Sequence, residues 1–246
     1  MTRFFRLKEP LKRGFAIWAK EYGLIRDVWR GTFPVPRNGI RLFLLERLVM
    51  SILIFFRSFS LIHIGGFFRS DSKRIDFSEM YVLSWFIVLA FLLFIPVFSS
   101  FWLFAIVGYR LIDGLNYRLC ILFVDRYKSG WGLRSINRSL LLLLLNYGEL
   151  IIGFAIMFLA SGSIGIGTPV RIITSPGEAL YFSVVTITTL GYGDIIPISP
   201  TGRTLALLEP LSGFVLVALV LAVFITGITD IKELRNAAKP SSEDKI

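Results

Sequence analysis

One cysteine, Cys120, and one histidine, His63, are all that 246 residues supply of two versatile ligand side chains. A lone cysteine excludes an intramolecular disulfide framework and a cysteine-built zinc site. A lone histidine excludes a histidine-rich metal centre and an ordinary His-based catalytic network. No phosphate-binding loop occurs along the chain, which argues against a nucleotide-driven pump. No acid, base and nucleophile cluster is visible, so the chain does not read as an enzyme and calls for no cofactor. A run of basic residues at every third position of one span, which a voltage sensor needs, is also missing. Arg110, Arg118 and Arg126 stand eight apart.

What the chain has is apolar surface. Hydrophobic residues make up 54%, with 23 Phe, and the mean hydropathy is +0.69. A soluble domain this apolar could not hide its surface from water. The net charge is nevertheless +10, from 27 Lys/Arg against 17 Asp/Glu. Apolar runs and basic clusters occupy different places, as in an integral membrane protein with basic cytoplasmic segments. The charge therefore points to orientation and anionic lipid, with no call for nucleic acid.

Residues 1–47 hold eleven Lys/Arg and four Asp/Glu without a long apolar run, so they do not read as a cleavable signal. Phe15, Trp18, Tyr22 and Trp29 are mixed with these charges. The segment reads as a solvated cytoplasmic arm, or in part as an amphipathic helix on an anionic membrane surface. Pro34 and Pro36 break any helix before the first apolar run.

A span needs roughly 20 apolar residues. Four stretches qualify: Leu48 to Phe68, with Arg57 and His63 inside it; Met80 to Tyr109, with Pro96; Ser139 to Ala160, with Glu149; and Thr204 to Ile228, with Glu209. The loop 110–138 carries six Lys/Arg and two Asp, so the positive-inside rule puts it, like the N-terminal arm, in the cytoplasm. An even number of crossings must lie between them, hence one each from 48–68 and 80–109. The sequence thus predicts an all-α membrane protein with four transmembrane helices. Its parts are a basic arm (1–47), two helices (48–109), a basic loop (110–138), a third unit (139–228) and a short tail (229–246). Both termini are cytoplasmic in a multi-pass cell-membrane protein, and 21 basic residues fall on that side. The tail leaves no room for a nucleotide- or calcium-binding domain.

The third unit holds a segment too short to span. Ser175-Pro176-Gly177-Glu178 has the form of a helix start, with a cap, a first-turn proline and a capping-box glutamate. About three apolar turns follow, then Thr188-Thr189-Leu190-Gly191-Tyr192-Gly193-Asp194. Non-helical backbone at membrane depth survives only where protein buries it or water reaches it. Gly191 and Gly193 alternate with larger residues, so successive carbonyls can face one axis. The Thr189 hydroxyl adds an oxygen. Leu190 and Tyr192 would point away and brace the strand. The preceding helix aims its negative end at the cavity, which favours a cation.

This run resembles the potassium-channel signature, whose core is Thr-Val-Gly-Tyr-Gly. The similarity runs from about Ala179 through Gly213 and includes Tyr181, Phe182, Ser183, Thr186, Pro197, Gly202 and Arg203. The chain is similar to small bacterial channels of the two-helix, pore-loop family, with two extra N-terminal spans. The resemblance implies a re-entrant pore helix and filter loop, a homotetrameric pore and passive K⁺ conduction. It implies K⁺ sites from the carbonyls of Thr189, Leu190, Gly191 and Tyr192 with the Thr189 hydroxyl, and Gly193 closing the filter. Leu190 replaces the usual Val. Val185 stands where some bacterial channels have a Glu paired with the carboxylate matching Asp194, so that pair cannot form.

Thr186, Thr188, Tyr181 and Asp194 would support the filter, Asp194 either bonding Tyr181 or facing water. Glu209 would reach Thr186 or Ser183 from the inner helix. By the same resemblance Gly213 is an inner-helix hinge, with close packing as the plain alternative. Phe214 and Val217 would face the cavity, and Ile225 and Thr229 the intracellular constriction. Glu149 and Arg57 either pair across helices or each reach a water pocket or the lipid interface, and His63 is expected to sit near the external interface as a satisfied polar group. Two other readings stay open: a less selective monovalent cation channel, and a non-conducting regulatory or sensor subunit.

Overall fold

The computed structural model describes residues 8–30, 44–60, 71–95, 100–124 and 136–237. His63, Pro34, Pro36, Pro96, the stretch 125–135 and the end of the tail lie outside them. The described chain is mostly helical. In order it runs α1 (Lys8–Arg30), α2 (Leu44–Arg57), α3 (Asp71–Leu93), α4 (Phe101–Phe123), α5 (Ile136–Ser161), β1 (Ile164–Ile166), β2 (Arg171–Ile172), α6 (Pro176–Ile187), β3 (Ile195–Pro197) and α7 (Pro200–Ala237).

Helix α5 is the axis of the fold. It packs along α3, α4, α6 and α7. Small residues set these approaches: Gly148 receives the Phe86 ring of α3, Gly153 receives Leu111 of α4, and Gly108 of α4 faces Met157. The last two contacts run antiparallel, so the start of α4 lies toward the Ser161 end of α5. Two helices, Leu140–Ser161 and Pro200–Ala222, are long and apolar enough to cross a membrane, and Glu79–Leu93 is a shorter apolar run.

The N-terminal half departs from the two spans expected over 48–109. Helix α2 has 14 residues and ends at Arg57, short of a crossing. Residues 80–109 are not one kinked helix. Helix α3 stops at Leu93, and α4 starts at Phe101 with the Ser100 hydroxyl accepting from the Leu103 N–H. Pro96, which has no N–H to continue a helix, falls in that interval. Helix α4 then runs to Phe123, through residues expected to begin a loop.

Helix α2 packs against α1 on one side and along α4 on the other. The Tyr109 hydroxyl donates to the Phe59 carbonyl at 2.9 Å, and Cys120 Sγ to the Leu53 carbonyl at 3.4 Å. Val124 closes a small core with Val28, Met50 and Ile54. Arg57, 2% exposed, lies 2.5 Å from Glu21 of α1.

A purely helical chain was also too simple an expectation. Strands β2, β1 and β3 form a small antiparallel sheet in that order, with Ile164 opposite Pro197 and Ile166 opposite Ile195. It ties the end of α5 to the segment after residue 194.

Candidate functional site

The segment 188–194 hangs between two fixed ends. Behind it is α6, whose start is as the sequence suggests but whose capping box does not form. Ser175 is the N-cap without a side-chain bond, and Pro176 takes the first turn. Glu178 instead accepts from Arg171 at 2.7 Å. Ahead of it is β3, held in the sheet and by the Ile198 N–H donating to the Ser163 carbonyl at 2.9 Å.

Between these anchors the backbone alternates in hand. Thr189 (φ 59°), Gly191 (φ 58°) and Gly193 (φ 79°) are left-handed. A left-handed residue at every second position turns successive peptide planes the same way, so that their carbonyls can share one side. A β-branched residue rarely accepts a positive φ, and Thr189 does so here. The N–H groups fold back onto α6: Thr189 to the Thr186 carbonyl at 3.0 Å, Leu190 to Val185 at 3.0 Å, and Gly191 to Val185 at 3.4 Å. The Thr188 hydroxyl closes the helix onto the Val184 carbonyl at 2.5 Å. Among the described residues, no backbone hydrogen bond is accepted by the carbonyls of Thr189 to Tyr192. Within the single chain these carbonyls are a row of acceptors that the backbone leaves open.

All residues from Thr188 to Asp194 are exposed in the single chain. Leu190 and Tyr192 are 57% and 67% exposed, so they do not brace the strand from within the chain. Asp194 is exposed and close enough to Tyr181 for its charge to act on that hydroxyl.

Helix α7 shows two faces. Leu205, Glu209, Gly213, Leu216 and Leu219 are buried; Leu207, Leu211, Phe214, Val217, Leu221 and Ile225 are exposed. The spacing of each set follows the helical repeat. Thr229 lies in the helix beyond the side chains described. Glu209 is fully buried and bonds Ser183 of α6, whose hydroxyl also lies 2.8 Å from the Ile151 carbonyl of α5. Thr186 is not among its partners. A Cβ on Gly213 would stand 2.8 Å from Ile187 Cγ1, so this glycine sits flush against the end of α6. Gly213→Ala should therefore cost about 1–3 kcal/mol through overpacking, read as a lower melting point in detergent. The displaced Ile187 adjoins Thr188, so the change should also disturb the 188–194 segment.

A second buried polar cluster lies beside α5, and sequence reasoning misassigned it. Glu149 does not meet Arg57. It accepts from Arg110 at 2.8 and 2.9 Å, with Arg118 at 3.6 Å. Asp113, 5% exposed, is held in the same cluster, and the Arg110 guanidinium lies 5.1 and 5.7 Å from the Tyr81 and Trp85 ring centroids. The missed signal was spacing: Arg110, Asp113 and Arg118 fall within two turns or so of one helix.

Residues 145–230 match the ion-channel family Ion_trans_2. The chain is 38% identical over 56 residues to the two pore potassium channel c of Oryza sativa subsp. japonica, covering 23% of this chain and 12% of that protein. It is 34% identical over 103 residues to the potassium voltage-gated channel protein Shal of Drosophila melanogaster, covering 42% and 17%. It is 33% identical over 103 residues to the A-type voltage-gated potassium channel KCND3 of Rattus norvegicus, covering 42% and 15%. The chain thus spans less than a fifth of the length of these relatives. The matched segment is similar to channels, not to enzymes. No solved structure matches the chain significantly.

Proposed function

We propose that the chain is a K⁺-selective channel in which copies of Thr189 to Gly193 surround a common axis. The observation that carries this is the alternating left-handed backbone at Thr189, Gly191 and Gly193 beside a row of unclaimed carbonyls. Rings of carbonyls can replace the hydration shell of a cation. One loop cannot encircle an ion, and the exposed Leu190 and Tyr192 need cover, so four copies per pore fit best. The exposed stripe of α7, from Leu207 to Ile225, would line the cavity and subunit contacts. Three of the similar proteins are named as potassium channels, which supports K⁺ as the permeant ion.

The helix boundaries and the charge pattern support one reading of the crossings. In this reading α3, α4, α5 and α7 cross the bilayer, the start of α4 lies on the filter side with the Ser161 end of α5, and α1 and α2 pack on the cytoplasmic side. The even crossing count between the N-terminal arm and the central loop is kept, with different helices supplying it. Sequence charge supports it. Fifteen Lys/Arg precede residue 80, none lies in 80–109, and only Arg171 and Arg203 fall on the filter side. Trp18, Phe55 and Phe59, exposed on α1 and the end of α2, suit a lipid headgroup layer among basic residues, where anionic lipid would bind.

The test is cation efflux from liposomes holding the purified full chain. K⁺-loaded vesicles should discharge and Na⁺-loaded ones should not. Equal discharge of both favours a non-selective cation channel, and none in either favours a regulatory subunit.

A further inference from the structure

We infer that Glu209 works as a neutral carboxylic acid, its proton completing a relay from Glu209 through Ser183 to the Ile151 carbonyl that positions the filter. This rests on reading 188–194 as the ion path.

Three oxygens meet behind the filter. Ser183 Oγ lies 2.8 Å from the Ile151 carbonyl and also contacts Glu209 Oε1. A serine hydroxyl owns one proton, and an ionised carboxylate and a carbonyl only accept. With Glu209 ionised, two contacts would share one proton, and one of them would set lone pair against lone pair. With Glu209 protonated, Glu209 donates to Ser183, Ser183 donates to Ile151, and both contacts are hydrogen bonds.

The surroundings fit a neutral acid. Glu209 and Ser183 are both 0% exposed. Among the described residues Glu209 Oε2 has no hydrogen-bond partner, a poor setting for an anion at membrane depth. Among the described residues no ion pair reaches Glu209. Among the described residues, the titratable side chain close enough to feel its charge is Tyr147, from α5. On its own helix Ser212 bonds the Glu209 backbone carbonyl at 2.7 Å and leaves the carboxyl alone.

The relay reaches the filter within two residues of Ser183. Ser183 is followed by Val184 and Val185, whose carbonyls accept the N–H groups of Thr188, Leu190 and Gly191. Fixing Ser183 against α5 and α7 therefore fixes the acceptors on which the filter strand hangs. Glu209 touches no ion; it is a positioning residue.

Two measurements on the full chain test this. In liposomes, Glu209→Gln keeps a proton donor of the same shape and should retain K⁺ over Na⁺ selectivity within about twofold. Glu209→Ala and Ser183→Ala should lose at least about fivefold, as when a buried partner is left unsatisfied. Selectivity of the native chain should fall at alkaline pH as Glu209 loses its proton, and Glu209→Gln should be flat. Separately, the infrared difference spectrum of native minus Glu209→Gln protein at neutral pH should show a protonated carboxyl stretch. Carboxylate bands there, or Glu209→Gln as damaging as Glu209→Ala, would overturn the inference. The infrared result stands without conduction, so a failed relay and a failed channel reading are told apart.

Discussion

Gly191→Ala is expected to abolish selective K⁺ flux while leaving the helical fold in place. Gly191 has φ 58°, and an added Cβ there would meet no atom of its own chain within 4 Å. The damage is therefore conformational. An alanine held left-handed costs about 1–2 kcal/mol, and four copies around one axis would carry about 4–8 kcal/mol by the same principle. The neighbouring Thr189 is already left-handed with a branched side chain. The strand has little room for more strain, and its relief is to turn the peptide plane and take the carbonyl off the axis. About 1.4 kcal/mol suffices for a tenfold change, so flux should fall at least about tenfold. Circular dichroism should be unchanged, because the residue lies outside every helix and strand.

Glu149→Ala should be the most destabilising single change in the bundle. Glu149 and Arg110 are both 3% exposed and Arg118 is 7% exposed. Removing the shared carboxylate leaves buried guanidinium groups with one acidic neighbour, Asp113. Breaking a buried pair in this way costs about 3–5 kcal/mol. The expected readout is a large loss of thermal stability in detergent. The double change Arg110→Leu with Glu149→Leu should be far milder, since an apolar pair often replaces a buried ion pair without loss. A double variant as unstable as Glu149→Ala would show that the cluster does more than balance charge.

The C-terminal half was legible in sequence because its signals are local. Pro176 marks the start of α6, Gly191 and Gly193 mark left-handed backbone, and Glu209 stands four residues before Gly213, which places both on one helix face. The little sheet escaped notice because strands of two or three residues carry no periodicity. The N-terminal half was misread for a different reason. Hydropathy counts each charge as seeking water, so Arg110, Asp113 and Arg118 suggested a loop. In the fold they face Glu149 and one another, and α4 continues through them. That pairing is between helices, and no window along one helix reports it. Arg57 went the same way: its partner Glu21 sits 36 residues earlier in the arm, in a segment expected to be solvated or to lie on a membrane surface.

The most direct test of the central claim is a reversal potential. The purified chain is placed in a planar bilayer with K⁺ on one side and Na⁺ on the other at equal concentration. If the carbonyls of Thr189 to Tyr192 select K⁺, the current should reverse far from zero, toward the K⁺ equilibrium potential. Reversal near zero, with a permeability ratio near unity, would contradict the account.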